Sequence, residues 1–346
     1  MSVARGEVPP PRFDHLVAMT TPLGTFEHAL GAVPRPEHGF CVDDVARVLL
    51  VCAREPEPRT EVRALISVAL DFLEASRDPS GACTNRRDVA GRWHGSPSTD
   101  DCWGRSVWGY GTAAARLDDP RSRARGFAGF VVAARQRSRW IRATAYAALG
   151  AAEVLDGDPD CLPARDLLID AARRWQPATD SDAAWPWPEP RLTYANATII
   201  EAMLATGSAL GIDPLVARGL ALLGWLLDRE TVDGHLSPTP VGGAGRDDHG
   251  PRFDQQPIEV AAMADACVRA ARVDRAGRER WRSGLEAAIG WFVGDNDRAA
   301  VMWDPHTGGG YDGLTVDGPN RNQGAESTLA FVATMQHARD LAAEQN

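Results

Sequence analysis

The chain contains no lysine, so every one of its basic side chains is an arginine. That alone excludes a Walker-type phosphate loop, which needs its lysine; the Gly308–Gly310 run reads instead as a flexible rim. The 37 arginines face 47 acidic groups, for a net charge of −10. An acidic chain without a basic run argues against nucleic acid and anionic membranes as main partners. Nothing approaches about 18 consecutive apolar residues, so no membrane span is expected. The opening MSVARGEVPPPRFDH lacks an apolar stretch of about 7–15 residues of the signal-peptide kind, and the expected location is cytoplasmic.

Cysteine is scarce as well. The six (Cys41, Cys52, Cys83, Cys102, Cys161 and Cys267) show no C-x-x-C spacing and read as reduced, mostly buried thiols. Cys41 and Cys102 stand beside acidic pairs, and with His38 they are the one conceivable metal-ligand set; burial is the simpler account. The eight histidines are dispersed, and neither H-E-x-x-H nor G-x-S-x-G occurs. What remains is acid–base chemistry needing no metal and no cofactor.

Strand alternation is almost absent, and helical periodicity takes its place. Arg59–Ser76, Pro120–Arg135, Cys161–Trp175, Pro214–Arg229 and Ala276–Val293 carry apolar residues at i, i+3, i+4 and i+7 with charged residues between. Each is the stripe of a helix with one wet face. A second set, including Ala143–Ala152, Ala195–Leu210 and Glu259–Ala271, is small or apolar nearly all round, which predicts burial on every side. Half-wet and fully buried helices alternating along one chain predict an all-α (α/α)6 toroid in a single domain, residues 1–346. Eleven helices are evident. The twelfth falls either in Arg12–Leu30, residues 1–35 being otherwise an N-terminal extension, or in Gln336–Glu344 as an extension of the last helix.

Each buried helix follows a polar junction. The six are CVDD (Cys41–Asp44), STDDCW (Ser98–Trp103), RQRSRW (Arg135–Trp140), WPWPEPRLTYAN (Trp185–Asn196), FDQQPIE (Phe253–Glu259) and NRNQGAE (Asn320–Glu326). In a toroid all six would open on one cavity. Asp43, Asp44, Asp100 and Asp101 sit where helix caps sit, and capping is the plain reading of either pair. Yet one carboxylate suffices to cap. Two side by side repel, so one holds its proton closer to neutrality, as a glycosidase acid must. Arg47 and Arg105, each four residues after an Asp (Asp43 and Asp101), are placed to pair with them.

The fourth junction is the most sugar-like. Trp185 and Trp187 flank a proline that stiffens the loop, and an indole face suits the C–H face of a pyranose. Trp103 and Trp140 stand at the second and third junctions. Glu189, Tyr194 and Asn196 follow as hydrogen-bonding groups, while Glu201, a turn deeper, reads as the partner of an arginine. The fifth junction offers His249, Arg252, Asp254, Gln255, Gln256 and Glu259. Amides before a buried helix are costly unless every donor and acceptor is used, and a polyhydroxyl ligand or an interhelical network would use them. The sixth supplies Asp312, Asp317, Asn322, Gln323 and Glu326.

Together HGFCVDDVAR (His38–Arg47), DDCWGRSVWGYG (Asp100–Gly111), WPWPEPRLTYANA (Trp185–Ala197), FDQQPIE and NQGAESTLA (Asn322–Ala330) resemble a family of α/α-toroid domains in bacterial carbohydrate loci, often joined to family-4 glycosyltransferases. The likeness spans nearly the whole chain. More distantly, the DD helix starts resemble those of six-hairpin glycosidases, including endo-mannanases whose adjacent Asp pair is catalytic. Family members commonly read CTDDNAR; here Val42 and Val45 replace polar neighbours of Asp43 and Asp44. No βαβ pattern or nucleotide-sugar motif is present, so the toroid stands without the transferase.

The expectation is a metal-independent glycoside hydrolase acting on an oligosaccharide, with an acid in Asp100–Asp101 and a base or nucleophile in Asp43–Asp44. Glu189 and Asp254 are the substitutes, and inversion is the preferred outcome. An inverting phosphorylase would hold phosphate with Arg252 and His249. An epimerase would need a His pair facing the cavity, and no His is placed in the core of an inner helix. A non-catalytic glycan-binding or transferase-partner module would bind without cleaving.

Overall fold

The computed structural model describes residues 8–175 and 184–345. Six helices form an inner ring: α2 (Val42–Ala53), α4 (Asp101–Arg116), α6 (Ile141–Gly157), α8 (Asn196–Leu210), α10 (Pro257–Val273) and α12 (Ala325–Gln345). Every residue of α8 from Asn196 to Gly207, and of α6 from Arg142 to Leu155, is buried, as their all-round apolar sequences require. Each inner helix packs on the next, and α12 returns to α2, so the ring closes. Outside it lie α3 (Thr60–Ser76), α5 (Pro120–Ala133), α7 (Leu162–Arg174), α9 (Asp213–Arg229) and α11 (Arg278–Phe292), each against the inner helix before it. The chain is a single (α/α)6 toroid, mostly helical with a few short strands.

The sixth outer position is reduced to α1 (Asp14–Ala18), which lies between α12 and α3. The rest of Arg12–Leu30 is not helical. It forms the hairpin β1 (Thr20–Thr21)/β2 (Gly24–Thr25) and the first strand of β3 (Ala29–Leu30)/β4 (Val33–Pro34). Pro22 interrupts helical hydrogen bonding, and Gly24 and Gly31 adopt φ of 142° and 57°. Gln336–Glu344 simply continues α12.

The inner helices approach so closely because they meet on glycine. A Cβ on Gly104 would lie 2.3 Å from the Ala143 carbonyl, one on Gly111 2.2 Å from the Gly150 carbonyl, and one on Gly150 2.3 Å from the Val107 carbonyl. The α4–α6 seam is therefore backbone on backbone.

At the C-terminal ends of the inner helices the ring is plugged by charge. Arg54 pairs with Asp265 at 2.9 Å, Arg116 with Glu153 at 2.8 Å, and Arg269 with Glu201 at 3.5 Å. His337, which does lie on the inner helix α12, meets Asp265 at 2.6 Å at this same end. Burial, and then the neighbouring Asp265, push the Glu201 carboxyl up to about 7.

Two measurements test this account. Gly150→Ala should lower stability by about 1–3 kcal/mol in denaturant unfolding, although Ala is the better helix former. Glu201 binds its proton more tightly folded than unfolded, so its contribution is fullest below pH ~4.5 and is lost as pH rises towards about 7. Glu201→Gln should therefore gain on the parent chain between pH 5 and pH 8 in paired unfolding curves.

Candidate active site

At the other end, the N-termini of the inner helices surround a cavity of about 590 Å³. Its wall includes Glu27, His28, Cys41, Asp43, Asp44, Arg47, Asp101, Arg105, Tyr194, Asp254, Gln256, Asp312 and Glu326. Junctions one, two, four, five and six contribute; the third, with Trp140, does not.

Asp100 occupies the N-cap position of α4, but none of the four paired aspartates makes a side-chain capping hydrogen bond among the described residues. On α2, Asp44 is buried, accepts from Arg47 Nη2 at 2.8 Å and takes a thiol hydrogen bond from Cys41 at 3.1 Å. Burial raises its carboxyl to about 6 against the opposing pull of Arg47. Arg47 Nη1 reaches across the ring to Glu326 at 2.7 Å. Burial alone would raise Glu326, but Arg47 and Arg105 hold it below the usual carboxylate range.

Asp43 is positioned from outside the helix. Asn85 Nδ2 donates to its Oδ2 at 2.9 Å, while the Asn85 side-chain and backbone oxygens accept from Val42 N–H. Asn85 is carried by the sheet in which β5 (Phe40–Cys41) pairs with β6 (Arg86–Arg87). Arg105 does not pair with Asp101 along its own helix. It crosses to Asp43, Nε lying 3.3 Å from Oδ1, and donates from Nη2 to Tyr146 at 2.9 Å.

The second pair divides. Asp101 faces the cavity and accepts from the Tyr194 hydroxyl at 2.7 Å. Asp100 is exposed, lies off the cavity wall and accepts from Trp140 Nε1 at 2.7 Å. Tyr194 is held in turn by Arg142, which stacks on its ring at 4.6 Å, donates to its carbonyl and forms an ion pair with Glu189 at 2.8 Å. Glu189 thus stands behind Tyr194, not on the cavity wall.

Several residues expected to touch substrate are wall material instead. Trp103 is buried and donates to the Ala133 carbonyl at the end of α5. Trp185 and Trp187 turn away to pack on Trp225 of α9, because three indoles bury more apolar surface together than at a wet rim. Asn196 is consumed by Arg142, Thr193 N–H and Glu259. Glu259 itself accepts from the Ala195 and Asn196 N–H groups, stapling the start of α8 to α10, and burial raises it to about 8. Gln255 is fully buried between Asp297 and Trp291, and Gln323 between Thr307 and Asp304. Asn322 accepts from Gly31 N–H in the β3–β4 turn. His249 and Arg252 are exposed off the wall, Arg252 on Asp248 at 2.6 Å. Asp317 is exposed in the turn between β7 (Gly313–Thr315) and β8 (Gly318–Asn320). Asp254 lies at the exposed edge of the cavity, and the Gln256 amide has no side-chain partner among the described residues.

Glu27, His28 and Asn85 were not foreseen. They arrive from hairpins, which carry no helical period to mark them. Cys102 lies against Cys83, their sulfurs 3.4 Å apart, and His38 against His28, so neither joins Cys41 in a ligand set. Among the described residues the group that could hold a metal is Glu27, Cys41 and Asp44. Two of its three members already carry guanidinium partners, Arg86 on Glu27 and Arg47 on Asp44, and burial and nearby carboxylates hold the Cys41 thiol protonated. Such a set suits a cation poorly.

No family model and no curated protein sequence matches the chain. Solved structures do. A sugar epimerase from a ruminal bacterium superposes with TM-score 0.69 at 13% identity, over 94% of this chain and 95% of that one. The chain has the six-hairpin glycosidase fold. A cellobiose 2-epimerase from Spirochaeta thermophila gives TM-score 0.66 at 12% identity, covering 94% and 93%. The GH76 α-mannanase of Bacteroides thetaiotaomicron gives 0.58 at 10%, covering 89% and 88%. At such identities the likeness is one of fold. No described helix is long and apolar enough to cross a membrane.

Arg47 joins α2 to α12 through two carboxylates, so Arg47→Met should cost about 3–5 kcal/mol in denaturant unfolding, chiefly by stranding Asp44. A cost under about 1 kcal/mol would deny the pairing its structural role.

Proposed function

We propose that the chain is a glycoside hydrolase cleaving an oligosaccharide by carboxylate acid–base catalysis, Asp101 serving as the acid and Asp43 as the base that activates water. The observation that carries this reading is the contrast between two carboxylates on one cavity wall. Asp43 faces the Arg105 guanidinium and accepts from Asn85, the setting of a group that stays an acceptor. Asp101 has no guanidinium within 4 Å among the described residues and meets only the Tyr194 hydroxyl, leaving Oδ1 for a glycosidic oxygen. A proton given by Asp101 to the leaving oxygen, and one taken by Asp43 from water, return both groups to use after solvent exchange.

The company this fold keeps supports a sugar substrate, since the epimerases and the mannanase above are named for sugar chemistry. A cavity of about 590 Å³ suits a short oligosaccharide. Two competing readings find less support. The arginine and histidine offered for a phosphorylase, Arg252 and His249, lie off the wall. An epimerase wants two facing histidines, and the described wall holds His28 alone. Six buried, unpaired thiols fit a cytoplasmic setting.

On any glycan the protein cleaves, Asp101→Asn and Asp43→Asn should each reduce kcat by about 10²–10⁴-fold. Asp100→Asn, altered off the wall, should stay within about threefold of the parent. NMR of the first-formed product should give the inverted anomer; a retained one would make Asp43 a nucleophile. Near-parental turnover by Asp101→Asn would remove the assignment.

A further inference from the structure

The cavity carboxylates fall into two groups. Glu27, Asp43, Asp44 and Glu326 each have an arginine within 4 Å, namely Arg86, Arg105 and, for the last two, Arg47. Asp101, Asp254 and Asp312 have none among the described residues. Asp101 meets the Tyr194 hydroxyl, Asp312 meets Gly324 N–H and the Ser327 hydroxyl, and the Asp254 carboxylate has no partner among the described residues. Seven carboxylates thus share one cavity with two arginines and His28. In a chain with 37 arginines, leaving three of these acids uncompensated is a marked choice.

A second observation says that the cavity is built to be filled. Arg105 is buried to 7% exposure and lines the wall, yet among the described residues its Nη1 has no partner and its Nε faces Asp43 without a formed hydrogen bond. A guanidinium at the cavity wall with its Nη1 unengaged suits a ligand acceptor, such as a sugar hydroxyl. The ligand so held lies in a field that repels anions and draws cations, because a concave wall with an excess of one sign concentrates its potential.

We infer that the glycan taken by this cavity carries a free protonated amine, making it an amino sugar rather than a neutral, N-acetylated, uronic or phosphorylated one. The Arg105 side holds hydroxyls, and the arginine-free carboxylates Asp254 and Asp312 receive the ammonium, Asp101 being kept for the glycosidic oxygen. This rests on the glycan-binding part of the function proposed above and adds the charge of the sugar.

Isothermal titration separates the two claims. The intact protein is titrated near pH 6.5 with hexosamines of gluco, galacto and manno configuration, each beside its N-acetyl derivative and its parent hexose. In at least one configuration the free amine should bind at least about tenfold tighter than both counterparts. About 0.5 M NaCl should shrink that ratio, the attraction being Coulombic, and Asp254→Asn should cut it severalfold. Parent hexose or N-acetyl sugar binding as tightly as the amine in every configuration overturns this inference and leaves the hydrolase reading standing. Binding of none of these sugars overturns both. Tight calcium binding that abolishes the amine preference assigns the wall to a metal and overturns the inference alone.

Discussion

Where Gly111 of α4 meets Gly150 of α6, neither helix has room for a Cβ. That contact sets the α4–α6 spacing, Gly109 against the Ala46 carbonyl does the same between α4 and α2, and the site depends on such close packing. Helices kept apart by leucine-sized side chains would leave their first turns too distant for Arg105 of α4 to reach Asp43 of α2, or for Arg47 of α2 to reach Glu326 of α12. The ring also makes the six inner helices point one way, so all their N-termini share one rim. Each terminus brings unsatisfied N–H groups and a positive partial charge. That helps to explain how a cavity can hold so many carboxylates, since Asp44, Asp101 and Glu326 all lie in first turns.

The two ends of the ring solve opposite problems with the same residue types. At the C-terminal end, arginines match acids one for one and the charges close on one another around Asp265, Glu153 and Glu201. At the N-terminal end the arginines are rationed: Arg47 is fully engaged, whereas Arg105 is not. A buried ionic network is weak evidence for stability, but it is an effective stopper, because no apolar or neutral molecule displaces it without stranding charge. The toroid is therefore a blind cup.

Helical content, the alternation of buried and half-wet helices, and the convergence of most junctions were legible because each rests on a period that a sequence displays directly. The outer helices begin and end within a few residues of their apolar stripes. Side-chain direction at a junction has no such period. Gln255 points back into the wall while Gln256 faces the cavity, and Asp100 points out while Asp101 points in. Adjacent residues of like chemistry at a helix start leave in different directions, and only the packing partner, Asp297 or Trp140, decides which. The tryptophans mislead for a related reason. An indole suits a pyranose face, but it suits another indole as well, and Trp225 lies out of sight on α9, some forty residues downstream. Asn85 and His28 come from short hairpins between helices, where pairing is set by turns and tertiary contacts.

The adjacent aspartates gain meaning from this geometry. A capping role would have left each pair interchangeable, since either carboxylate could take the helix N–H groups. Instead every one of the four has a different partner: Asn85 and Arg105 for Asp43, Arg47 and Cys41 for Asp44, Trp140 for Asp100, Tyr194 for Asp101. Distinct partners mean distinct surroundings, and acid–base catalysis divides its work between carboxyls that are not equivalent. Val42 and Val45, beside the first pair, fit the same logic. Both are wholly buried, and burial is what raises the Asp44 carboxyl, against the pull of Arg47.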